Sequence, residues 1–170
     1  MSKYETPTYK VILKEDKFEV RAYEAFNTSS VIENNLKGNS GFGVLFSYIS
    51  GNNKETQKMA MTVPVINTFD DQAMTMEFVV PSTFKDHIPT PNNEYLKIKH
   101  YPKQFRASLT FSGNANKKSV EKHKQMLNDW VMKNDFEVSG MYRLARYNTP
   151  FSLPFLRRNE IMVDIEYKEV

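Results

Sequence analysis

The sequence predicts an α+β fold of two βαββ pseudo-repeats. Three observations carry this. Strict apolar–polar alternation recurs in short stretches along the chain, as half-buried strands require. Two longer stretches place apolar residues at helical spacing. Laid over one another at an offset of about 85 residues, the two halves run through these patterns in the same order. At 170 residues the chain has the length of one domain.

Taken in order, the first alternating stretch sets Phe18, Val20 and Ala22 against Glu19, Arg21 and Tyr23. Phe42, Leu45, Phe46 and Ile49 then share one helical face, with Asn34, Asn35 or Ser40 to cap its start and Gly51 to stop it. Met74, Met76, Phe78 and Val80 alternate with Thr75, Glu77 and Val79. In the second half come Leu96/Ile98, then Phe105, Ala107, Leu109 and Phe111. A second helix is expected from Asn116 or Ser119 to about Lys133, with Val120, Leu127, Trp130 and Val131 as its apolar stripe. Ile161, Val163 and Ile165 alternate in the last strand. The overlay sets Arg21 on Arg106, and Phe42, Leu45 and Phe46 on Leu127, Trp130 and Val131. Neither helix buries its stripe without a sheet. The expectation is a single domain over 1–170, with repeats at about 9–82 and 95–168. One curved, mostly antiparallel, barrel-like sheet would carry both helices.

Composition excludes several function classes. With no cysteine there is no disulfide framework, thiolate metal site or cysteine nucleophile. The net charge of +3 is spread along the chain, and the only adjacent basic pairs are Lys117-Lys118 and Arg157-Arg158. A nucleic-acid binder concentrates its charge on a stripe or groove, so no nucleic-acid partner is expected. Neither a signal peptide nor an apolar run of membrane-spanning length is evident. A soluble, cytoplasmic, monomeric protein without a membrane partner is the expectation.

Five motifs in order resemble the SOUL family of haem-binding proteins over roughly residues 9–168. They are Phe18-Glu-Val-Arg-Ala-Tyr23, Gly41-Phe-Gly-Val-Leu-Phe-Ser-Tyr-Ile-Ser-Gly-Asn52, Met59-Ala-Met-Thr-Val-Pro-Val65, Phe78-Val-Val-Pro81 with the Pro-rich loop to Pro91, and Ala145-Arg-Tyr-Asn-Thr-Pro-Phe151 with Arg157-Arg-Asn-Glu160. The resemblance implies a pair of βαββ repeats and non-covalent binding of haem or another tetrapyrrole, such as a porphyrin, on an apolar surface beside the first helix. The matching positions of that helix are Phe42, Leu45, Phe46 and Ile49. Some relatives carry a histidine in the first motif, where Ala22 stands here. Neutral Asn39 and Ser47 stand where others have basic residues.

Residue chemistry adds further candidates. Met59 and Met61 offer polarizable contacts to an irregular apolar ligand. Arg157 and Arg158 suit carboxylates such as propionates, and equally an anchor to Glu160. The metal ligand is unknown, with His87 and His100 as candidates. No nucleophile elbow, Walker loop or dinucleotide-binding motif is present, so no catalytic residue is assigned. The expected function is a tetrapyrrole carrier, buffer or sensor. Two alternatives stand beside it. One is an enzyme that removes the metal from a tetrapyrrole. The other is an effector-binding module resembling the gyrase-inhibitor-like domains, with Glu77 as its pocket carboxylate.

Overall fold

The computed structural model describes residues 3–36, 39–70, 73–149 and 151–168. Along the chain lie β1 (Tyr9–Glu15), β2 (Phe18–Tyr23), β3 (Phe26–Ile32), α1 (Asn39–Ile49), β4 (Val65–Phe69), β5 (Met74–Val79), β6 (Lys97–Tyr101), β7 (Gln104–Phe111), α2 (Lys117–Lys133), β8 (Glu137–Arg146) and β9 (Asn159–Glu166). The class is α+β, and the strand pairs within each compact unit are antiparallel.

The chain folds into two such units, each discontinuous in sequence: Met1–Pro7 with Ala25–Pro102, and Thr8–Glu24 with Lys103–Val170. The first has the strand order β4-β5-β3-β6. Its helix α1 packs on β3 and β5 over a core of Val31, Leu45, Tyr48, Ile49, Met76 and Phe78. The second has the order β1-β2-β7-β9-β8, with α2 against β7, β8 and β9.

A run of β-α-β-β occurs in both units with the same spatial order, β4-β5-β3 and β8-β9-β7. The strand that flanks this run is exchanged. β2 precedes β3 in sequence yet pairs with β7, and β6 precedes β7 yet pairs with β3. Consequently Arg21 and Arg106 are cross-strand partners in the β2–β7 ladder. Alternation alone does not reveal which strand of a unit it marks.

The central strands of the second unit are buried on both faces, β9 from Asn159 through Ile165. Charged residues are tolerated there because they meet partners. Arg106 and Arg143 both reach Asp164, at 3.0 and 2.7 Å. Asp164 also presses on the backbone at Gly140, where an added Cβ would stand 2.4 Å from its carboxylate. Helix α2 matches its expected limits: Asn116 caps it by accepting from the Ser119 N–H, and Val120, Leu127, Trp130 and Val131 are buried.

Candidate functional site

Helix α1 is positioned from both ends. Its N-terminus is capped by Glu33, at the end of β3, whose carboxylate accepts from the Gly41 N–H at 2.6 Å and the Ser40 hydroxyl at 3.0 Å. A Cβ at position 41 would lie 2.8 Å from that carboxylate, so glycine is needed for the close approach. Burial works to raise the Glu33 pKa, but the backbone bond from Gly41 and its fellow donors outweigh it, and the net shift is downward. An anion is favoured there, at the positive end of the helix. The asparagines expected as caps yield this place to Glu33. At the other end Gly51 takes φ 113°, as the stop signal predicts.

The inner face of α1 is Gly41, Leu45, Tyr48 and Ile49, all buried. Tyr48 enters the core because its hydroxyl donates to the Pro89 carbonyl at 2.5 Å, and a buried phenol needs such a partner. Burial, helped by the charge of Glu55, pushes its pKa up to about 12.

Phe42 and Phe46, expected in the core stripe, instead stand 42% and 50% exposed. Their rings stack at 5.9 Å with 12° between planes, and Phe42 also meets the Phe78 ring edge-on at 5.4 Å. Beside Phe46 lies a concavity of about 260 Å³ lined by Ile49, Ser50, Lys58, Met59 and Met61. The loop after α1 shapes it. Buried Asn53 donates to the carbonyls of Tyr48 and Gln57 and accepts from the Gln57 N–H. The Met59 N–H then bonds to the Ile49 carbonyl at 2.8 Å, returning the chain to the helix end.

Of the predicted site residues, Phe46, Ile49, Met59 and Met61 therefore converge, with Phe42 stacked alongside. Leu45 lies wholly inside the core, and Met59 is mostly buried in it. Lys58 was not anticipated. It is an exposed cation at the concavity. Ser47 accepts from the Asn52 amide at 3.1 Å and lines a second concavity of about 340 Å³ on the other flank of α1, shared with Asn93 and Leu96. The Asn39 side chain falls outside the described residues.

Arg157 and Arg158 lie in the second unit and are engaged there. Arg157 donates to the Ser152 carbonyl and to Asn114. Arg158 reaches Glu160 at 3.1 Å and packs over the Tyr147 ring. Glu160 also takes both Nη atoms of buried Arg21, at 2.9 and 2.6 Å. Burial opposes its ionisation, but the hydrogen bonds and charge of Arg21, with the charge of Arg158, prevail and lower its pKa to about 2.

His87 is exposed, 3.7 Å from Glu55. His100 is exposed beside Asn27 at 2.8 Å. Neither lines the concavity. His123 stacks on Phe111 at 3.9 Å. No group of three His, Asp or Glu suited to a metal ion occurs among the described residues.

Glu77, the pocket carboxylate of the effector-module alternative, is fully buried. It accepts from the hydroxyls of Thr28, Tyr101, Thr68 and Thr75 at 2.7, 2.7, 2.5 and 3.1 Å, with Lys99 at 3.7 Å. A carboxylate offers about four lone-pair sites, and these four hydroxyls fill them. Burial raises its pKa, yet the bond from Thr68 and the charge of Lys99 lead the effects that carry the net shift downward.

The family model for SOUL heme-binding proteins matches residues 4–164. The chain belongs to the SOUL heme-binding protein family. That membership supports binding of haem or a related tetrapyrrole. No curated protein matches the sequence. Among solved structures, this SOUL-family chain is similar to the EcmrR C-terminal domain, with a TM-score of 0.68 and 12% identity over 93% of this chain and 98% of that one. It is also similar to a hydrolase from Listeria innocua, with a TM-score of 0.60 and 10% identity over 91% of this chain and 94% of that one. At such identities the likeness shows the fold alone. No helix among the described residues is long and apolar enough to cross a membrane.

Proposed function

We propose that the first unit binds haem, or another tetrapyrrole, non-covalently on the outer face of α1, and that the protein serves as a cytoplasmic, monomeric carrier, buffer or sensor. The observation that carries this reading is the stacked, half-exposed Phe42–Phe46 pair on a helix whose core face is already filled by Leu45, Tyr48 and Ile49. Exposed aromatics rimmed by polar residues mark binding surfaces, and the SOUL family supplies the ligand class.

The residues present fit a flat apolar macrocycle. Phe42 and Phe46 offer ring surface, Ile49, Met59 and Met61 an apolar edge, and Lys58 a charge-assisted hydrogen bond to a propionate. The concavity of about 260 Å³ falls below the usual range for enclosed ligand sites. The macrocycle would therefore lie partly exposed, held by burial at ~25 cal/mol per Å² of apolar surface. Bound haem would supply redox and ligand-binding chemistry, while the chain's own residues position it and shield one face. The effector-module alternative has no free acceptor at Glu77.

Titration of haem-free protein with haemin, followed at the Soret band, tests the reading. A saturable one-to-one shift that survives His87→Ala, His100→Ala and His123→Ala in turn is expected. No specific shift, or complete loss on removal of one histidine, would contradict it.

A further inference from the structure

We propose that the loop Phe151–Leu156 of the second unit docks on an anionic lipid surface, through four protruding apolar side chains and the exposed Lys117–Lys118 pair near its base. Phe151, Leu153, Phe155 and Leu156 are 95%, 55%, 70% and 65% exposed. These are not the side chains of a slack segment. The Ser152 N–H bonds to the Thr149 carbonyl, the Leu156 N–H to Leu153, and the Gly113 N–H to the Pro154 carbonyl at 2.8 Å. Arg157 clamps the Ser152 carbonyl from below at 2.9 Å. A loop tied down in this way, with its apolar groups turned outward, presents a patch of the kind that meets a partner.

Charge identifies that partner. Arg157 donates to Asn114 at 3.0 Å, and the Asn159 amide donates to the Gly113 carbonyl. These bonds fasten the loop to the segment that runs directly into α2 and exposed Lys117 and Lys118. The exposed Lys117–Lys118 pair thus follows directly on a segment bonded to the loop, while Arg157 and Arg158 are held within the unit. No acid lies between Glu137 and Glu160, or between Phe111 and Val120. Glu160 is buried and engaged by Arg21 and Arg158. Apolar side chains that enter the headgroup region, ringed by cations that meet anionic lipid, are the two elements of interfacial binding. The absence of a spanning helix concerns crossing a bilayer, not lying on one.

The test is flotation of the full-length, haem-free chain with phosphatidylcholine vesicles, with and without phosphatidylglycerol. The protein is expected to float with the anionic vesicles and far less with the neutral ones. Phe151→Ser/Phe155→Ser should lower the partition coefficient about tenfold or more. Lys117→Ala/Lys118→Ala should lower it about tenfold on anionic vesicles only. Both pairs of side chains are exposed, so an unchanged melting midpoint confirms that the variants fold. Phe155→Trp should shift its emission to the blue on binding, which adsorption by charge alone would not produce. No association with anionic vesicles, or association indifferent to both double variants, overturns the proposal and leaves the loop to a protein partner. Because haem is absent throughout, the result is independent of the tetrapyrrole reading.

Discussion

The two helices solve the same packing problem with different remainders. Helix α2 presents one apolar stripe, Val120, Leu127, Trp130 and Val131, and buries all of it. Its Trp130 stacks on Phe18 at 5.0 Å and donates to Glu15 at 3.2 Å, so even the indole N–H is used inside the unit. Helix α1 is shorter and apolar on two sides. It buries Leu45, Tyr48 and Ile49, and keeps Phe42 and Phe46 at the surface. Burying a phenylalanine is worth roughly 1.5–3 kcal/mol, so leaving two half-exposed forgoes stability that α2 gains from its one aromatic, Trp130. The difference separates a helix whose aromatic side chain is used up by folding from one that keeps two stacked aromatics at the surface.

Variants sharpen this contrast, beginning with the largest effect. A second contrast lies between the buried carboxylates: Glu160 is held by arginines, Glu77 mainly by hydroxyls. Arg21→Ala strands the buried Glu160 charge and should cost about 3–5 kcal/mol in urea denaturation. Leu127→Ala and Leu45→Ala remove core side chains from α2 and α1, and each should cost about 2–5 kcal/mol. Equal penalties would show that the inner faces are equivalent. Acid comes next. The folded pKa of Glu160 is depressed from 4.5 to about 2, so its contribution is fully present above the unfolded value and is lost as pH falls between the two. The loss should be on the order of 3 kcal/mol by linkage, seen as a falling melting midpoint over that window. Glu77 shifts in the same direction and adds to the acid loss. The smallest effect on stability belongs to Phe46→Ser, expected to cost about 1 kcal/mol because the ring is already half-exposed, although haemin affinity should fall about tenfold or more with the lost apolar contact.

Most of the second unit's helix was legible because its stripe admits one reading: Val120, Leu127, Trp130 and Val131 share one face, and that face is buried. In α1 the sequence admits two, and the stripe through the phenylalanines looks the more apolar. Burying Tyr48 instead depends on a carbonyl at Pro89, far along the chain, which no local pattern reveals. Strand β3 escaped notice because its buried residues include Thr28, Ser29 and Ser30, which leave no apolar alternation to read. Strand β8 hid behind an exposed first half and a register shift between Val138 and Tyr142. Strand β1 is largely exposed along its length. The family motifs pointed to the helix and methionine segment that form the concavity. Lys58 lay between two of those motifs, and only the clamp made by Asn53 brings it to the site.

The most direct test sets the two helix surfaces side by side. Haemin would be titrated into wild type, into Phe46→Asp on α1, and into Met132→Ser, a change at a side chain 65% exposed on α2. Each variant would first be shown to melt like wild type. Sharply weakened binding for Phe46→Asp, with wild-type affinity for Met132→Ser, is the predicted result. Undiminished binding by folded Phe46→Asp would contradict the claim that α1 keeps its outer aromatics for the ligand.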